Sequence, residues 1–580
     1  MNPTLDTTTV PTLPDDTTGD RVTPMPPPVV VEPPAPTPQR ESLPRAVAGS
    51  VASWVAEHWV SLAIVGGLLL IVGVVLGTGI TGFPSLADDE GTYVAEAWAL
   101  NHGALSHYTY WYDHPPVGWI QIWFMTKLLG PVLGAGSAVA QGRILMLVPA
   151  LSSAALLYVL ARRLGMRRGF AAAAVLLFAL SPLAVSYLRM VYLDNLATPW
   201  ILGAFVLAAS RRARLWDYAG AGACFAIAIL SKETSLLALP GLVLAVRQGA
   251  DRRTRAFCLA AFASMVILVV ADYPLYALLK GELLPGPGHV SLFDAIRFQL
   301  ASRASTGSVL ASTTLAHQLV QSWTDLDPWL LGLGAAATAP ALLIRRLRPA
   351  AVTLAVFILM ALRPGYLPQP YVIALLPFCG LLVAGVADEI WGHGLATWSR
   401  LIIARRAVVA AAAVVFAVAA LPGWYRGDAT AMHTDVNRFQ PMAEQWVVSH
   451  VSHRARVLID DTFYVDLVKA GFRPQYGAVW FQKLDFTTNL DPAVLHALPR
   501  GWREFDYVIS TPVVRSALQQ NPGAMQQVRL ALTHSRVVKS FGSGSQLIQV
   551  RRIVGIGTGS GFIPSARLVH HHRGGHHHAH

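Results

Sequence analysis

The sequence predicts a polytopic α-helical membrane protein with an α/β domain near its C-terminus. The 580 residues are 53% hydrophobic and only 13% charged, with a mean hydropathy of +0.45. This is too apolar for a soluble globular protein. Apolar runs of about 14 to 21 residues recur over roughly the first 420 residues, as membrane-spanning helices would require. The remainder of the chain returns to a soluble composition.

The N-terminal segment, residues 1–50, contains "TPMPPPVVVEPPAPTP" and shows no apolar period. Such a composition cannot bury a core, so we predict a disordered tail. The first apolar run, "SLAIVGGLLLIVGVVLGTGI" at 61–80, follows it. Because this run lies deep in the chain and lacks a cleavage-like site, we interpret it as a membrane span and not as a removable signal peptide.

Ten further apolar runs bring the predicted number of membrane spans to about eleven. The closely spaced runs between 196 and 246 are short, so this number is approximate. The ten runs lie near 143–160, 170–188, 196–209, 218–230, 234–246, 256–274, 328–344, 350–362, 370–390 and 407–421. Together with the first run they define a predicted transmembrane module at 51–424.

Basic residues in alternate loops predict the orientation of these spans. Cations near the ends of spans resist translocation, so loops rich in arginine face the cytoplasm. Examples are "RRLGMRRG" at 162–169, "RQGADRRTR" at 247–255 and "RRLRP" at 345–349. The N-terminus is then cytoplasmic, and the loops 81–142 and 275–327 are extracytoplasmic.

The last predicted exterior piece, residues 425–554, has the composition of a soluble domain. Strand-like runs such as "RVLIDD", "FDYVIST", "SRVVKSF" and "SQLIQVRRI" alternate with the helical pattern "FQPMAEQWVVSHV", which predicts an extracytoplasmic α/β domain. The Gly/His-rich end, 555–580, is treated as a second disordered tail.

The composition also excludes several function classes. The net charge of +12 is located in the loops between spans, where it orients helices, so nucleic acid is not an expected partner. All three cysteines, Cys224, Cys258 and Cys379, lie in apolar runs, which excludes a disulfide framework and a cysteine zinc site. Only six of the 45 basic residues are lysine. We interpret this as GC-rich coding and expect a bacterial plasma-membrane protein.

An acidic cluster follows the first span, where Asp88, Asp89 and Glu90 stand in succession. Ser85 resembles a helix cap and Gly103 a helix stop, so we predict a short surface helix at 88–101. Acidic residues in a first helical turn gain about 0.3–1 kcal/mol from the helix dipole, so simple capping is one explanation. On this helix Asp89, Tyr93 and Glu96 share one stripe.

A second polar element, "YTYWYDHPPVGWIQIWF" at 108–124, lies in the same predicted loop. Its aromatic residues, such as Tyr108, Tyr110 and Trp111, are typical of a membrane-interface belt. An Asp-His-Pro-Pro sequence is less usual there. The prolines stiffen the backbone and would hold Asp113 and His114 at a defined height above the lipid.

These motifs resemble the GT-C superfamily of membrane glycosyltransferases, in particular the protein O-mannosyltransferase and lipid A aminoarabinose transferase group. "DDEGTYVAEAW" and "YDHPPVGW" have the order and spacing of that group's acidic pair and its acidic-basic-Pro-Pro element. Weaker similarity continues through 186–195, 230–240 and 363–377. The family often has Lys in place of His114, and some members have Arg in place of Thr92.

The resemblance implies transfer of a sugar from a polyprenyl-phosphate donor to a hydroxyl of a protein, lipid or cell-wall glycan on the extracytoplasmic side. Asp89 matches the family's catalytic base, with Glu90 and Asp88 as alternatives. Fixed cations would stabilise the departing phosphate. The candidates for this role are His114, Arg189, Lys232 and Arg363.

Cations at the exterior ends of spans oppose the inside bias, so Lys232 and Arg189 are either functional or paired with an acid. Glu233 and Asp194 are the neighbouring carboxylates that would pair with them. Residues that would line the substrate site are Tyr93, Asp113, Asp194, Glu233, Tyr366 and Tyr371. Interfacial belt packing explains the last two tyrosines equally well. Adjacent carboxylates are suitable ligands for Mg²⁺ or Mn²⁺, and the residues leave a metal requirement open.

Two other classes of function compete with a transferase. A secondary transporter or lipid-linked sugar flippase would also have many spans with buried charges, but duplicated halves and mid-membrane charges are expected there. We find no such duplication. A non-catalytic cell-wall assembly protein would keep the exterior domain, yet it would not need intact "DDE" and "DHPP" elements.

Overall fold

The computed structural model describes the protein over most of its length. The described residues are 43–103, 112–134, 136–392, 399–474, 476–485, 496–520 and 523–554. Most of the N-terminal tail, the tail 555–580, and Tyr108, Tyr110 and Trp111 lie outside them. The chain divides into Met1–Trp59 and Val60–His580. The candidate site and the sheet both lie in the second unit.

The described residues are mostly helical. The α-helices are α1 (Leu43–Gly77), α2 (Asp88–Leu100), α3 (Val117–Leu129), α4 (Ala138–Leu145), α5 (Leu147–Arg163), α6 (Arg168–Ala179), α7 (Pro182–Leu188), α8 (Leu193–Ala208), α9 (Leu215–Ser231), α10 (Leu239–Gly249), α11 (Arg255–Val270), α12 (Asp272–Leu279), α13 (Leu292–Arg297), α14 (Leu315–Leu326), α15 (Leu330–Leu343), α16 (Arg348–Leu362), α17 (Leu376–Gly392), α18 (Ser399–His433), α19 (Phe439–His450), α20 (Tyr464–Lys469), α21 (Pro512–Gln520) and α22 (Gln526–Thr533). Short 3₁₀ turns include Glu233–Ala238, Gln369–Ala374, Asp461–Phe463 and Gly544–Gln546.

Each of the eleven predicted apolar runs lies in helical structure, but their number as membrane spans stays a prediction. Among the described residues five helices are long and apolar enough to cross a bilayer, or up to seven if each of two bent pairs counts as one span. Helices α8, α9 and α16 are apolar but have only 16, 17 and 15 residues. A full crossing needs about 20 residues. Several apolar helices together still make this a multi-pass membrane protein.

Burial separates a central helix from peripheral ones. In the most apolar stretch of the span Gln369–Gly392, 83% of the residues are buried within the protein, compared with 11% in the corresponding stretches of Arg255–Leu279 and Ile402–His433. Apolar side chains that the protein does not cover are suited to contact with lipid. The central span α17 packs against α6 and α15, and α9 packs between α8 and α11.

Two of the basic loops meet at one end of the helices. Asp388, near the end of α17, accepts from Arg167 and Arg346 at 3.2 and 2.8 Å. Arg346 also pairs with Glu389 at 2.7 Å. The sequence assigned both arginines to cytoplasmic loops. Because they contact the same carboxylate, the two loops lie at the same end of the helices.

A five-stranded sheet lies in the C-terminal part of the chain. Its strands are β1 (Val457–Ile459), β2 (Ala478–Trp480), β3 (Tyr507–Ser510), β4 (Ser535–Phe541) and β5 (Ile548–Ile553), in the order β2-β1-β3-β5-β4. β1 pairs in parallel with β2 and β3, and β5 is antiparallel to β3 and β4. The interior strand β1 is buried along its whole length, as its sequence "VLI" requires.

Four of the five strands coincide with the strand-like runs of the sequence. β2 was missed because it has only three residues, "AVW". Helix α18 continues to His433, past the predicted domain boundary at 425. A domain at 425–554 that is independent of the helices stays a prediction.

Candidate active site

Helix α2 begins at Asp88 and ends at Leu100, close to the predicted bounds of 88–101. Its cap differs from the prediction. Ala87, and not Ser85, is the N-cap residue, and the Glu90 carboxylate accepts a hydrogen bond from the backbone N–H of Ala87 at 3.1 Å. The helix therefore begins without a side-chain oxygen at its N-cap position.

Glu90 holds α2 against the helices of the membrane module. Its carboxylate accepts from Arg143 Nε and Nη2 at 2.7 and 2.6 Å, and from the backbone N–H of Val191 at 3.0 Å. Glu90 and Arg143 are both completely buried. All these contacts are within the protein, so Glu90 has a structural role.

Asp88 holds the same helix against the sheet. Its carboxylate accepts from the Trp480 indole N–H at 3.0 Å and from the Gln482 amide at 2.8 Å. Gly91 permits this close packing, because a Cβ at that position would overlap the backbone of Asp461 and Thr462. Asp88 is thus engaged in docking α2 on the sheet.

Asp89 lies between these two anchored residues and differs from both. Among the described residues no hydrogen bond or ion pair engages its carboxylate, and its side chain is exposed. The charges of Lys232, His114, Asp113 and Arg303 nevertheless act on its carboxylate. Asp89 is the accessible carboxylate of the acidic cluster.

A group of buried polar side chains faces Asp89, and Lys232 and His114 are at its centre. Lys232 Nζ lies 3.1 Å from His114 Nε2, and His114 Nδ1 lies 3.1 Å from a Glu233 carboxylate oxygen. Lys232 and Glu233 are also 3.6 Å apart, so the ion pair considered from the sequence is present. We call Lys232, His114 and Glu233 the cation cluster.

The local sequence explains where the cation cluster lies. Helix α9 ends at Ser231, and Lys232 has an extended backbone that breaks the helix before the turn Glu233–Ala238. His114 stands two residues before Pro116, the N-cap residue of α3. Its backbone carbonyl accepts from the Tyr273 hydroxyl at 3.2 Å, which fixes the bend that carries it.

Two predicted lining residues, Tyr93 and Asp113, contact the imidazole. The Tyr93 hydroxyl lies 3.3 Å from His114 Nε2, and an Asp113 carboxylate oxygen lies 3.7 Å from the same nitrogen. Asp194 is buried nearby, and one of its carboxylate oxygens has no hydrogen-bonding partner among the described residues. The charge of Asp194 acts on Lys232. Asp194 does not form the ion pair with Arg189 that the sequence suggested.

Arg303 is a site residue that the sequence analysis missed. Its guanidinium stacks on the Tyr366 ring, 3.6 Å from the ring centroid, and donates to the Gln299 side chain at 2.6 Å. Gln299 in turn donates to an Asp113 carboxylate oxygen at 3.2 Å. The available signal was the same one that pointed to Lys232, namely a cation in a predicted exterior loop.

Three residues of the predicted site lie outside this group. Arg189 is completely buried and donates to the backbone carbonyls of Ala431, Val75 and Thr78, so its terminal nitrogens are used by the fold. Tyr371 is buried and donates to the Phe357 carbonyl. Arg363 is exposed, and among the described residues it has no hydrogen bond or ion pair with the cation cluster.

The electrostatics of Asp89 suit a proton acceptor. Nearby protein partly displaces the water around the exposed Asp89 carboxylate, which raises the pKa of Asp89 above its usual range, while Lys232 and His114 act in the opposite direction. A raised pKa makes the carboxylate a stronger base.

Opposing influences act on the cation cluster. Burial disfavours the charged imidazole, but the carboxylates of Glu233 and Asp113 outweigh it, so the pKa of His114 is raised. Burial also opposes ionisation of Glu233, but His114 and Lys232 hold the pKa of Glu233 well below its usual range. The cluster therefore favours charged over neutral forms.

A metal site does not emerge from the geometry. Within the part of the chain that the structure describes, no three His, Cys, Asp or Glu side chains are arranged to hold a metal ion. The arrangement instead offers an accessible carboxylate opposite cationic side chains. Such a site can accept a proton on one side and stabilise an anion on the other.

Comparisons with known proteins agree with this architecture. Residues 113–276 match the family described as dolichyl-phosphate-mannose-protein mannosyltransferase. That segment includes Asp113, His114 and Lys232 but begins after α2. No curated protein matches the chain in sequence.

Solved structures that are similar to this chain include ArnT and AftD. The crystal structure of ArnT from Cupriavidus metallidurans, bound to undecaprenyl phosphate, is 16% identical with a TM-score of 0.52, and the match covers 86% of this chain and 98% of that one. The arabinofuranosyltransferase AftD from Mycobacteria is 16% identical with a TM-score of 0.45, over 86% of this chain and 40% of that one.

Proposed function

Since the chain has the fold of the GT-C glycosyltransferases and a segment that matches a mannosyltransferase family, we propose that it transfers a sugar from a polyprenyl-phosphate donor to a hydroxyl acceptor. Asp89 is the general base of this reaction. Lys232, His114 and Arg303 bind the phosphate of the donor.

The observation that carries the proposal is the difference among three adjacent carboxylates. Asp88 and Glu90 are engaged by several donors each, whereas Asp89 is exposed and has no hydrogen bond or ion pair among the described residues. A general base must be able to reach the proton that it removes. We therefore assign the base to Asp89 and no longer to Asp88 or Glu90.

The proposed step is a single displacement at the anomeric carbon. The acceptor oxygen forms a bond to this carbon while its proton moves to Asp89. The bond from the anomeric carbon to the phosphate oxygen breaks, and the polyprenyl phosphate leaves with the electron pair. The charge that develops on the leaving group is negative, so fixed cations lower the barrier.

The contact between Lys232 and His114 supports an anion between them. With Nδ1–H donating to Glu233, His114 Nε2 accepts a hydrogen bond from Lys232. Protonation of Nε2, which the raised pKa of His114 favours, would turn this contact into one between two donors. A phosphate oxygen that accepts from both groups removes the conflict.

The donor class follows from the chemistry of the cluster and from the comparison. A phosphate on a lipid reaches cations at the end of a membrane helix, as Lys232 is at the end of α9. ArnT was crystallised with undecaprenyl phosphate, and its fold is shared here. The sugar and the acceptor are left open: acceptor protein, lipid and cell-wall glycan all provide hydroxyl groups.

The orientation is part of the proposal. We place the basic loops that contain Arg167 and Arg346 on the cytoplasmic side of a bacterial plasma membrane. The candidate site and the sheet are then extracytoplasmic, where lipid-linked sugars replace nucleotide sugars as donors.

The test uses the purified full-length protein in lipid nanodiscs with radiolabelled polyprenyl-phosphate mannose and polyprenyl-phosphate arabinose. Release of sugar from the lipid, to water or to added alkyl glycosides, measures the reaction. Asp89→Asn should reduce the rate by about 10²–10⁴-fold, the usual contribution of a general base. Asp325→Asn changes an exposed aspartate of α14 and should leave it unchanged.

Near-normal sugar release by Asp89→Asn, at wild-type thermal stability, would remove Asp89 from this role. A flippase would move the labelled lipid across a bilayer without releasing its sugar. A non-catalytic assembly protein would bind the lipid and leave it intact. Either result in the wild-type protein would refute the transferase assignment.

A further inference from the structure

The sheet has a topological switch point between β1 and β3. β1 pairs with β2 on one side and with β3 on the other, and all three strands are parallel. The connections that follow β1 and β3 therefore separate at the carboxyl ends of these strands. In open α/β sheets, a ligand crevice commonly lies at this position.

A cavity of about 390 Å³ is present at this switch point. Asp460 and Thr462 follow β1, and Thr511 follows β3; all three residues line the cavity. Segments of three other regions complete its wall: 83–86 before α2, 436–440 at the start of α19, and 545–548 before and at the start of β5. We call it the switch-point cavity.

We propose that the switch-point cavity binds a neutral, hydroxyl-rich sugar segment, namely part of an acceptor glycan. The acceptor role of this sugar rests on the proposed function, because only a transferase has an acceptor. The binding of sugar itself rests on the lining of the cavity alone.

The polar lining is uncharged apart from one residue, Asp460. That carboxylate is 1% exposed, and its two oxygens accept hydrogen bonds from the hydroxyls of Thr462 and Thr511. The wall presents amide and hydroxyl groups to a ligand in place of a free charge. Amides and hydroxyls can both donate and accept, which matches the hydroxyls of a sugar.

Several of these polar groups are available to a ligand. Among the described residues, the side chains of Ser85, Ser545 and Gln546 have no hydrogen-bonding partner. Phe83 and Phe439 contribute aromatic carbon to the same wall, against which the C–H faces of a sugar ring can pack. Pockets for small ligands commonly combine apolar walls with a few such polar groups.

A peptide is a weaker candidate for the same cavity. Extended peptides are commonly bound by adding a strand to an exposed sheet edge. The switch-point cavity lies at the ends of β1 and β3, and each of these strands has neighbours on both sides. The free edges of the sheet belong to β2 and β4.

The cavity is connected to the helix that carries Asp89. Thr92 of α2 donates from its hydroxyl to the Asp461 carboxylate, and the backbone N–H of Asp461 contacts Asp88 at 3.4 Å. Asp460 and Thr462, on either side of Asp461, line the cavity. A glycan held there lies next to α2, on the sheet side of the proposed base.

The experiment measures sugar binding to the full-length protein in nanodiscs by saturation-transfer NMR. The probes are mannotriose, arabinotriose and maltotriose, with an acetylated, uncharged Ser/Thr-rich peptide as the competing ligand class. Ser545→Trp fills the cavity, and Ser543→Trp is the matched control, because Ser543 is also exposed, lies in the same turn and does not line the cavity. Gln546→Ala is a second variant that adds no volume.

At least one trisaccharide should bind the wild-type protein and the Ser543→Trp control with equal affinity. Its affinity should fall about tenfold or more in Ser545→Trp, a loss of about 1.4 kcal/mol, and should also fall in Gln546→Ala. Binding of none of the trisaccharides, binding of the peptide alone, or unchanged sugar binding in Ser545→Trp would overturn the proposal.

Asp89→Asn separates this inference from the proposed function. This variant should lose transfer and keep trisaccharide binding, since Asp89 does not line the cavity. Trisaccharide binding by a wild-type protein that transfers no sugar would refute the proposed function, and with it the acceptor role, but would support the sugar site.

Discussion

The buried pair of Arg143 and Glu90 provides the sharpest test of how α2 is held. Arg143→Met keeps an unbranched side chain of similar length and removes the charge. In the wild-type protein the guanidinium donates twice to Glu90 and once each to the carbonyls of Pro84 and Ser85. The variant leaves the Glu90 carboxylate buried with only backbone donors.

The magnitude follows from the complete burial of both partners. Removing one member of a buried ion pair typically costs about 3–5 kcal/mol, because the remaining charge is uncompensated. Two backbone N–H groups, those of Ala87 and Val191, still donate to Glu90. We therefore expect a loss of about 3 kcal/mol, at the lower end of that range.

Stability is measured by reversible unfolding in mixed micelles with increasing SDS, and activity by sugar release. Arg143→Met should lose both stability and activity, because the first turn of α2 carries Asp89. The control is Arg168→Met, which removes an exposed arginine whose side chain contacts Ser61 at 3.3 Å. It should change stability by less than about 0.5 kcal/mol. An Arg143→Met protein as stable as this control would refute the reasoning.

Two further predictions concern the charges around Asp89. The rate should rise with pH as Asp89 loses its proton, at a pH above the ordinary aspartate range, and should fall as His114 loses its proton above its ordinary range. His114→Lys should extend activity to higher pH, because a lysine stays charged there. If the alkaline side of the pH–rate profile is identical to that of the wild-type protein, His114 is excluded as the titrating cation. Arg303→Met should reduce kcat/KM for the donor by about tenfold or more. The control Arg297→Met, which changes an exposed arginine, should not reduce it. Equal values of kcat/KM in both variants would show that Arg303 does not contact the donor.

The fold could be predicted largely from local patterns. The eleven apolar runs between 61 and 421 all lie in helical structure, and β-rich runs identified four of five strands, whereas helices such as α3 and α14 in the predicted exterior loops were not predicted. The exceptions are local too. The strand β2 is too short to show a period, and α18 continues past the end of its apolar run to His433, because a helix can extend beyond the membrane while the apolar pattern stops. The similarity to GT-C glycosyltransferases is confirmed by the family match and by the ArnT fold.

The site could be predicted only in part, since charge identifies candidates but not their contacts. Lys232, His114, Glu233, Asp113 and Tyr93 do come together in the structure. Their motifs combine a charge with a position at the predicted membrane surface. That combination is informative because an unpaired charge there is costly.

A charge at the predicted membrane surface also pointed to Arg189, which lies outside the cation cluster. The same feature was overlooked for Arg303 and Arg143. The buried guanidinium of Arg189 is stabilised by hydrogen bonds to backbone carbonyls of distant segments. No sequence pattern shows where those carbonyls lie. Arg303 joins the site through Gln299, which donates to Asp113, and these last two residues are 186 positions apart in the sequence. Contacts between residues so far apart depend on the tertiary fold.

The three consecutive acidic residues of α2 have three different environments, and helix geometry explains why. Successive residues of an α-helix are rotated by about 100°, so neighbouring side chains point in different directions. Asp88 points to Trp480 on the sheet, and Glu90 points to Arg143 among the membrane helices. Asp89, between them, is left facing the cation cluster. Two anchors on opposite sides fix both the height and the rotation of the helix, so the accessible carboxylate cannot turn away without breaking one of them. A site that must hold a base within hydrogen-bonding reach of an acceptor gains its precision from such neighbours.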